Sequence, residues 1–272
     1  MPTTVAELYP IESYYDTVPR ASATVETIGP FTLFVSTADF PFYARPAAGA
    51  IDTDTAIRPA DVVAVRTRQR ELGLPEAFEW VDELRPGLVD TVRATGMAVY
   101  RLPLMVHRVD TGSAPAPPDV RVRMLTADDP DLPSVQTAIG LGFTTPGTSV
   151  GAVGDRERSA AEATLPDVHR RTRERIARGD VALAGAFTDR GAVGGGSHSP
   201  RDDVSEITGV ATLPAYRRRG IGAAVTARLT ADAYRRGVGT CFLSAGSPAI
   251  GRIYARAGFR RIGTACVAGA PA

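Results

Sequence analysis

The stretch from Val204 to Val267 alternates strand-like and helix-like segments, and this alternation constrains the fold more than any other feature of the chain. Val204 to Thr212 is rich in β-branched residues, whereas Ala223 to Arg236 carries apolar residues at helical spacing. Thr240 to Ser244 is a short apolar run. A second apolar stripe at helical spacing then leads through Gly258 to a strand-like end. We therefore predict an α/β fold, with a mixed sheet covered by helices.

The chain upstream of this stretch supports the same architecture. A proline-rich segment, Ala114 to Pro118, is typical of a linker. Beyond it, the pattern predicts a strand at 119–123, helices at 132–142 and 156–178, and a hairpin whose strands cover 181–188 and 191–198. Together with the C-terminal stretch, this gives the order β-α-α-β-β-β-α-β-α-β.

The N-terminal region repeats part of this order. Its pattern predicts a helix at 60–72, a strand at 77–81, a helix at 87–96 and a strand at 98–106. This matches the last helix–strand–helix–strand unit and indicates an internal duplication. The copy lacks an arginine-rich G-x-G segment and has Val92 at the position of Tyr254. We predict a degenerate domain at 1–113, a linker at 114–118 and a catalytic domain at 119–272.

Charge and cysteine content exclude several classes of protein. The 31 basic residues are all arginine and face 30 acidic ones, and this net charge of +1 argues against a general nucleic-acid or membrane-surface binder. The two cysteines and three histidines are scattered, so we expect neither a disulfide framework nor a metal site. We find no leader peptide and no run near the ~20 apolar residues of a membrane helix, so we expect a cytoplasmic protein.

The clearest chemical motif is the run Arg217 to Gly222 (RRRGIG), between a predicted strand and a predicted helix. The first turn of a helix has unpaired N–H groups and a partial positive charge, glycines let the backbone approach an anion, and arginines bind phosphate oxygens. The dinucleotide motif G-x-G-x-x-G does not fit, because it would place Val225 at its third glycine. The P-loop requires a lysine, which the chain lacks. The run therefore predicts a pyrophosphate site.

This run and a later one together resemble a known family. GVATLPAYRRRGIGAAVTARL, followed by IYARAGF, is similar to motifs A and B of the GNAT superfamily of N-acetyltransferases, and the close match covers residues 204–267. The resemblance implies the GNAT acyl-CoA N-acyltransferase fold, in tandem with an incomplete N-terminal copy. It also implies acetyl-CoA, or another acyl-CoA, as co-substrate without a metal. The reaction it implies is direct attack of a primary amine on the acyl group in a ternary complex.

The resemblance also assigns residues to the cofactor. Backbone amides of the loop would hold the pyrophosphate, with Arg217 where the family most often has Gln, and the end of the preceding strand would hold the pantetheine arm. Ser247 stands where the family usually has an Asn that contacts this arm. The implied cofactor residues are Val210, Ala211, Thr212, Arg217, Arg218, Arg219, Gly220, Ile221, Gly222, Ala223 and Ser247.

Two residues are candidates for catalysis. Tyr254 matches the family's general acid for the departing thiolate, although its apolar stripe also suits a core tyrosine. Glu206 lies on the strand where several family members carry a general base; a solvated carboxylate suits this position equally, and deprotonation through water needs no side chain. The backbone N–H of Ala211 is the natural donor to the oxyanion by its position.

The acceptor side is less well defined by the sequence. In GNAT folds the region between the first two helices often lines the acceptor site, which indicates Phe143 and Thr144. His198, at the end of the predicted hairpin, is a further candidate, with a surface polar residue as the alternative. The acceptor stays open between a small-molecule and a peptide amine, and a homodimer stays open as well.

Two other functions fit the same residues. Related folds use aminoacyl-tRNA as the acyl donor, and the arginines at 217–219 and 235–236 would then contact its phosphates, although the near-neutral charge gives little support. A non-catalytic acyl-CoA sensor or scaffold would bind the cofactor without transferring the acyl group. Tyr254 and Glu206 in one domain favour an enzyme.

Overall fold

The computed structural model describes residues 5–37, 41–48, 56–107, 114–163 and 170–270. The chain divides into two compact units. The first consists of Met1–Met105, Ser244–Pro248 and Arg261–Ala272, and the second of Val106–Leu243 and Ala249–Arg260. The main division lies close to the predicted linker, whereas two short C-terminal segments group with the first unit.

The second unit contains a mixed sheet with the strand order β10-β9-β8-β7-β6. β9 and β10 are parallel, and the other neighbours are antiparallel. The elements are β6 (Arg121–Leu125), α4 (Leu132–Thr144), α5 (Asp155–Glu162), α6 (Arg170–Ala177), β7 (Ala182–Thr188), β8 (Gly191–Arg201), β9 (Val204–Thr212), α7 (Ile221–Arg235), β10 (Thr240–Ser244) and α8 (Pro248–Arg256).

Glycines allow α4 to approach this sheet closely. A Cβ on Gly195 of β8 would lie 2.6 Å from the carbonyl oxygen of Ala184 and 2.7 Å from the Val135 side chain of α4. Near the end of α4, a Cβ on Gly142 would lie 2.8 Å from the Cβ of Ala211. Real Cβ atoms do not approach so closely, so glycine is required at both positions. The C-terminal end of α4 therefore packs directly on the end of β9.

β9 departs from regular pairing at two places. Its register with β10 runs only from Val204 to Glu206, and the described residues contain no pair between these strands beyond that point. Its register with β8 shifts between Gly195 and Ser197, opposite Gly209, whose φ is +64°. A bulge of this kind bends a strand and redirects its side chains. The end of β9 thus leaves the β10 ladder.

The first unit combines helices with two groups of strands. β1, β2 and β3 form an antiparallel sheet, while β11 lies between β4 and β5. Phe31, Phe78 and Trp80 are buried in its core. The elements are α1 (Tyr9–Arg20), β1 (Ala23–Ile28), β2 (Phe31–Ser36), β3 (Arg45–Pro46), α2 (Pro59–Glu71), β4 (Phe78–Val81), α3 (Leu88–Arg93), β5 (Ala98–His107) and β11 (Phe259–Gly269).

Most of the predicted elements are confirmed. The hairpin is β7–β8, and the predicted helix–strand–helix–strand order occurs both as α2-β4-α3-β5 and as α7-β10-α8-β11. The single helix predicted at 156–178 is wrong, because one helix ends at Glu162 and another begins at Arg170; residues 164–169 lie outside the described part. α1 and β1 to β3 are additional to the predicted elements. None of the helices described is both long enough and apolar enough to span a membrane.

Candidate functional site

The second unit contains an open cleft of about 620 Å³. One wall comes from the C-terminal end of α4 and the loop that follows it, and the floor includes Val210 to Thr212 at the end of β9. The loop before α7, the first turn of α7 and one face of α8 complete it. All but two of the residues that the sequence assigns to the cofactor or to catalysis line this one cleft or belong to the loop Arg217–Gly222; the exceptions are Glu206 and Ser247.

The phosphate loop, Arg217–Gly222, turns sharply into α7. Arg218 and Gly220 have φ angles of +63° and +84°, and Gly220 is the N-cap of the helix. Ile221, Gly222 and Ala223 line the cleft. Their N–H groups come before the first intrahelical bond, which Ala224 N–H donates to Gly220 O, so they are free to bind an anion.

The space in front of these amides is open at Gly222. A Cβ at this position would meet no atom nearer than the Thr212 hydroxyl and the Val210 side chain, each 4.0 Å away. The glycine is therefore not required by the packing of the protein itself. Its missing side chain instead leaves room for a ligand beside the helix N-terminus.

The three arginines of the phosphate loop make different contacts. Arg218 lines the cleft, and its guanidinium has no partner in the described part of the chain. Arg217 also lines the cleft, but its guanidinium donates hydrogen bonds to backbone carbonyls. Arg219 does not line the cleft: it pairs with Asp119 and lies over the Tyr216 ring, 5.6 Å from its centroid. Of the three, Arg218 has the side chain available for a phosphate.

Tyr254 lies on the face of α8 that borders the cleft. Its ring packs edge-on against Phe259, with centroids 5.6 Å apart. Its hydroxyl has no hydrogen-bond partner among the described residues. Burial raises the pKa of Tyr254 to about 12, so the phenol stays protonated at neutral pH. The group is thus a protonated hydroxyl that borders the cleft and donates no hydrogen bond to the described part of the protein.

Glu206 lies at the point where β9 and β10 separate. It is opposite Phe242 in the last register pair of the two strands and is half-buried. It is not among the residues that line the cleft. Glu206 therefore stands where the space between β9 and β10 begins to open. Its role as a base stays a prediction.

Of the two residues of α4 that the sequence predicts for an acceptor site, one lines the cleft. Phe143 lines the cleft with 61% of its surface exposed. Thr144 does not line it, and its hydroxyl donates to Leu141 O at 2.8 Å. Ile253, on the apolar stripe of α8, is 39% exposed and faces the cleft, so the stripe marks the cleft-facing side of the helix and not only a core contact.

Several lining residues carry no sequence motif of their own. Arg256 lines the cleft, and its side chain has no partner among the described residues. Its position two residues after Tyr254 could have identified it from the sequence. Tyr216 lines it as well, and its hydroxyl donates to Asp155 at 2.6 Å. Ser247 belongs to a segment of the first unit and is not a cleft residue. The described residues include no group of His, Cys, Asp or Glu side chains placed to hold a metal.

His198 lies in the core and not in a loop. β8 extends past it to Arg201, and the side chain is fully buried. Its Nδ1 is 2.9 Å from the Ser205 hydroxyl, and its Nε2 is 3.1 Å from a carboxylate oxygen of Asp232. It does not line the cleft. Both predictions for His198, an acceptor contact and a surface position, are therefore wrong. The strand continues past the predicted end of the hairpin, so the residue lies within the sheet.

The buried His198 gives a pH dependence of stability. Burial, only partly opposed by Asp232, holds the pKa of His198 below its usual value of 6.5. Near pH 6.5 His198 is therefore protonated in the unfolded chain but stays neutral in the folded protein. The free energy of unfolding consequently decreases as the pH falls below that value. We expect the unfolding free energy to fall by up to about 1.4 kcal/mol per pH unit below that pH, and by less in His198→Gln. Urea unfolding at pH 7.5 and about 5.5 tests this; equal losses in both proteins would contradict it.

Comparisons with known proteins agree with this fold. Residues 181–261 match the family model described as an acetyltransferase (GNAT) domain. A solved GCN5-related N-acetyltransferase from Kribbella flavida is 23% identical and superposes with a TM-score of 0.69, covering 97% of this chain and 95% of its own. A search among curated protein sequences finds no match.

Two further structures of similar length share the fold. A GNAT-family acetyltransferase structure from Novosphingobium aromaticivorans is 19% identical, with a TM-score of 0.51 and coverage of 93% of this chain and 94% of its own. A tandem GNAT protein from the clavulanic acid biosynthesis pathway is 15% identical, with a TM-score of 0.51 over 89% of this chain and 79% of its own. The chain therefore has the GNAT fold over nearly its whole length and carries a GNAT acetyltransferase domain at residues 181–261.

Proposed function

We propose that the chain transfers an acetyl group from acetyl-CoA to a primary amine in a ternary complex. One observation carries the proposal: the first turn of α7 at Gly222, the Arg218 guanidinium and the Tyr254 hydroxyl border the same cleft, and neither side chain has a partner among the described residues. The first two suit a pyrophosphate, and the third suits the sulfur of a thioester. Their combination fits acyl-CoA better than it fits a simple phosphate ligand.

The cofactor would lie between the phosphate loop and the end of β9. The amides of Ile221 to Ala223 and the Arg218 side chain would hold the pyrophosphate. The pantetheine arm would follow Val210 to Thr212 on the side where β9 has left β10, as an added strand does. Leu213 N–H donates to Val193 O and the register pairs Ala211 with Gly195, so the Ala211 N–H faces β8 and, contrary to the prediction from the sequence, is not placed to donate to the thioester carbonyl oxygen.

The reaction would proceed by addition and elimination. The neutral amine forms the C–N bond, and the carbonyl π electrons move to oxygen; the oxyanion then re-forms the carbonyl as the C–S bond breaks. The amine loses a proton to water, or to Glu206 through water, and the thiolate takes one up. A phenol with a pKa of about 12 is a weaker acid than a thiol near ~8.5, so Tyr254 acts by hydrogen-bonding the departing sulfur as its charge develops.

A thiol-release assay tests the proposal. Purified protein is mixed with acetyl-CoA and each member of a panel of amines: arylalkylamines, amino acids, aminoglycosides and peptides with a free α-amine or lysine. We expect release of free CoA thiol that depends on one class of amine, with the acetylated amine detected by mass. Tight CoA binding without amine-dependent release would instead indicate a sensor or scaffold, and strongly salt-dependent tRNA binding would indicate an aminoacyl donor.

A further inference from the structure

The side chain of Arg217 holds a segment that is distant in the sequence. Its Nη2 donates to the carbonyl oxygens of Gly142 (2.5 Å) and Thr145 (2.9 Å), its Nη1 to that of Ser149 (3.1 Å) and its Nε to that of Thr212 (3.3 Å). A guanidinium has five N–H donors, and this arrangement uses at least one on every nitrogen. Little capacity is left for a phosphate.

The location of two of these carbonyl oxygens explains why a positively charged side chain is favourable beside them. Gly142 O and Thr145 O lie at the C-terminal end of α4, where the last carbonyls have no intrahelical partner and carry partial negative charge. The Thr144 hydroxyl satisfies the neighbouring carbonyl of Leu141. No carboxylate contacts Arg217 in the described residues, so the helix end is its electrostatic partner. Arg217 thus caps α4 from outside the helix.

The residues that Arg217 holds form one side of the cleft. We call residues 142–149 the wall segment; it contributes Phe143 and Thr145 to Thr148 to the lining. At its start, Gly142 packs against β9, and just beyond its end Gly151 N–H donates to Pro214 O at 3.2 Å. Between these two points, the hydrogen bonds from Arg217 tie the wall segment to the phosphate loop.

We propose that the Arg217 side chain is a positioning group for the acceptor side of the cleft and not a ligand of the cofactor phosphates. It fixes the wall segment, including the exposed Phe143, relative to the phosphate loop. The phosphates are bound by the loop amides and by Arg218. That this side of the cleft binds the acyl acceptor rests on the proposed acetyl transfer. That Arg217 holds the wall segment does not rest on it.

The proposal separates two neighbouring arginines by their effects. Arg217→Gln keeps a donor but loses most of the bonds to the wall segment, whereas Arg218→Gln leaves the wall segment intact and removes a phosphate contact. Arg217→Lys keeps the charge at the end of α4 without the forked geometry, and it serves if the Gln variant is poorly folded. Arg93→Gln is the matched control, because Arg93 is an exposed arginine of α3 in the first unit whose side chain has no partner in the described part of the chain.

Three measurements are made on each full-length variant: the dissociation constant for CoA by calorimetry, hydrogen exchange of residues 143–149, and KM for the acceptor found in the amine panel. For Arg217→Gln we expect CoA affinity within about threefold of the wild type, exchange in the wall segment faster by about tenfold, and acceptor KM higher by about tenfold. For Arg218→Gln we expect CoA affinity about tenfold weaker, with wall exchange unchanged. Arg93→Gln should match the wild type in all three.

The opposite pattern overturns the proposal. If Arg217→Gln weakens CoA binding as much as Arg218→Gln does, while wall exchange stays at the wild-type rate, Arg217 is a phosphate ligand. Hydrogen exchange and CoA binding need no acceptor, so they decide the role of Arg217 even if no amine in the panel is acetylated. Failure of the proposed function and failure of this inference are therefore separate results.

Discussion

Replacement of Tyr254 by phenylalanine is expected to lower kcat about 100-fold and to change the dissociation constant for CoA by less than about threefold. The change removes one oxygen atom and keeps the ring, so the edge-on packing against Phe259 is retained. The hydroxyl makes no hydrogen bond to the described protein, so its loss leaves no buried partner unsatisfied. The expected decrease in kcat comes from loss of the hydrogen bond that the hydroxyl would donate to the departing sulfur. Steady-state rates of thiol release, together with calorimetry, measure both quantities.

Tyr234→Phe is the matched control for this prediction. Tyr234 lies on α7 in the same unit, does not line the cleft, and its hydroxyl donates to His107 O at 3.1 Å. We expect a small loss of stability, about 1 kcal/mol, and an unchanged kcat. Because the pKa of Tyr254 is about 12, the wild-type rate should show no ionisation of this group below about pH 11. Equal kcat values for wild type and Tyr254→Phe would remove Tyr254 from the chemistry.

Replacement of Gly222 by leucine is expected to weaken CoA binding about 100-fold. A Cβ fits at this position, because its nearest neighbours are 4.0 Å away, but a longer side chain must extend into the space in front of the α7 amides. Leucine also has a higher helix propensity than glycine, so the folded protein should be no less stable. Gly222→Ala should cause a loss of about tenfold, since only one carbon enters the same space. Calorimetric titration with CoA gives the three constants.

Gly140→Leu makes the same change outside the cleft. Gly140 is an exposed position in α4, and beyond the neighbouring backbone of its own helix none of the described residues has an atom within 4 Å of the place that a Cβ would take. Its leucine variant should bind CoA like the wild type. Wild-type affinity in Gly222→Leu, or a loss of equal size in Gly140→Leu, would show that the phosphates do not bind at the start of α7.

The sequence correctly predicted the features that depend on a few neighbouring residues. A β-branched strand, a Gly-containing turn and a helix with an apolar stripe are local features, and each forms where its residues predict it, as in β9 and α7. The same holds for the glycines of the phosphate loop, since positive φ at Gly220 is a property of one residue. The apolar stripe of α8 was also predicted from its periodicity, but it suited a core contact as well, and only the structure places it on the cleft.

Side-chain direction was harder to predict, because it depends on contacts between distant segments. Arg217 stands in a run of three arginines, yet its partners lie at Gly142, Thr145 and Ser149, and only the packing of α4 on β9 brings them together. His198 was misplaced because the hairpin continues past the predicted end of its strand. α1 was missed because prolines occur at its second position and near its end, where they are read as breaks.

The guanidiniums that line the cleft belong to Arg217, Arg218 and Arg256, and the chain contains no lysine at all. A guanidinium stays protonated in proteins and is therefore no nucleophile for a thioester. If the proposed acyl donor binds in this cleft, three guanidinium groups border it and no ε-amino group does. In the proposed reaction, no side-chain amine of the protein competes with the substrate, and thiol released in the absence of added amine could not come from acetylation of a lysine.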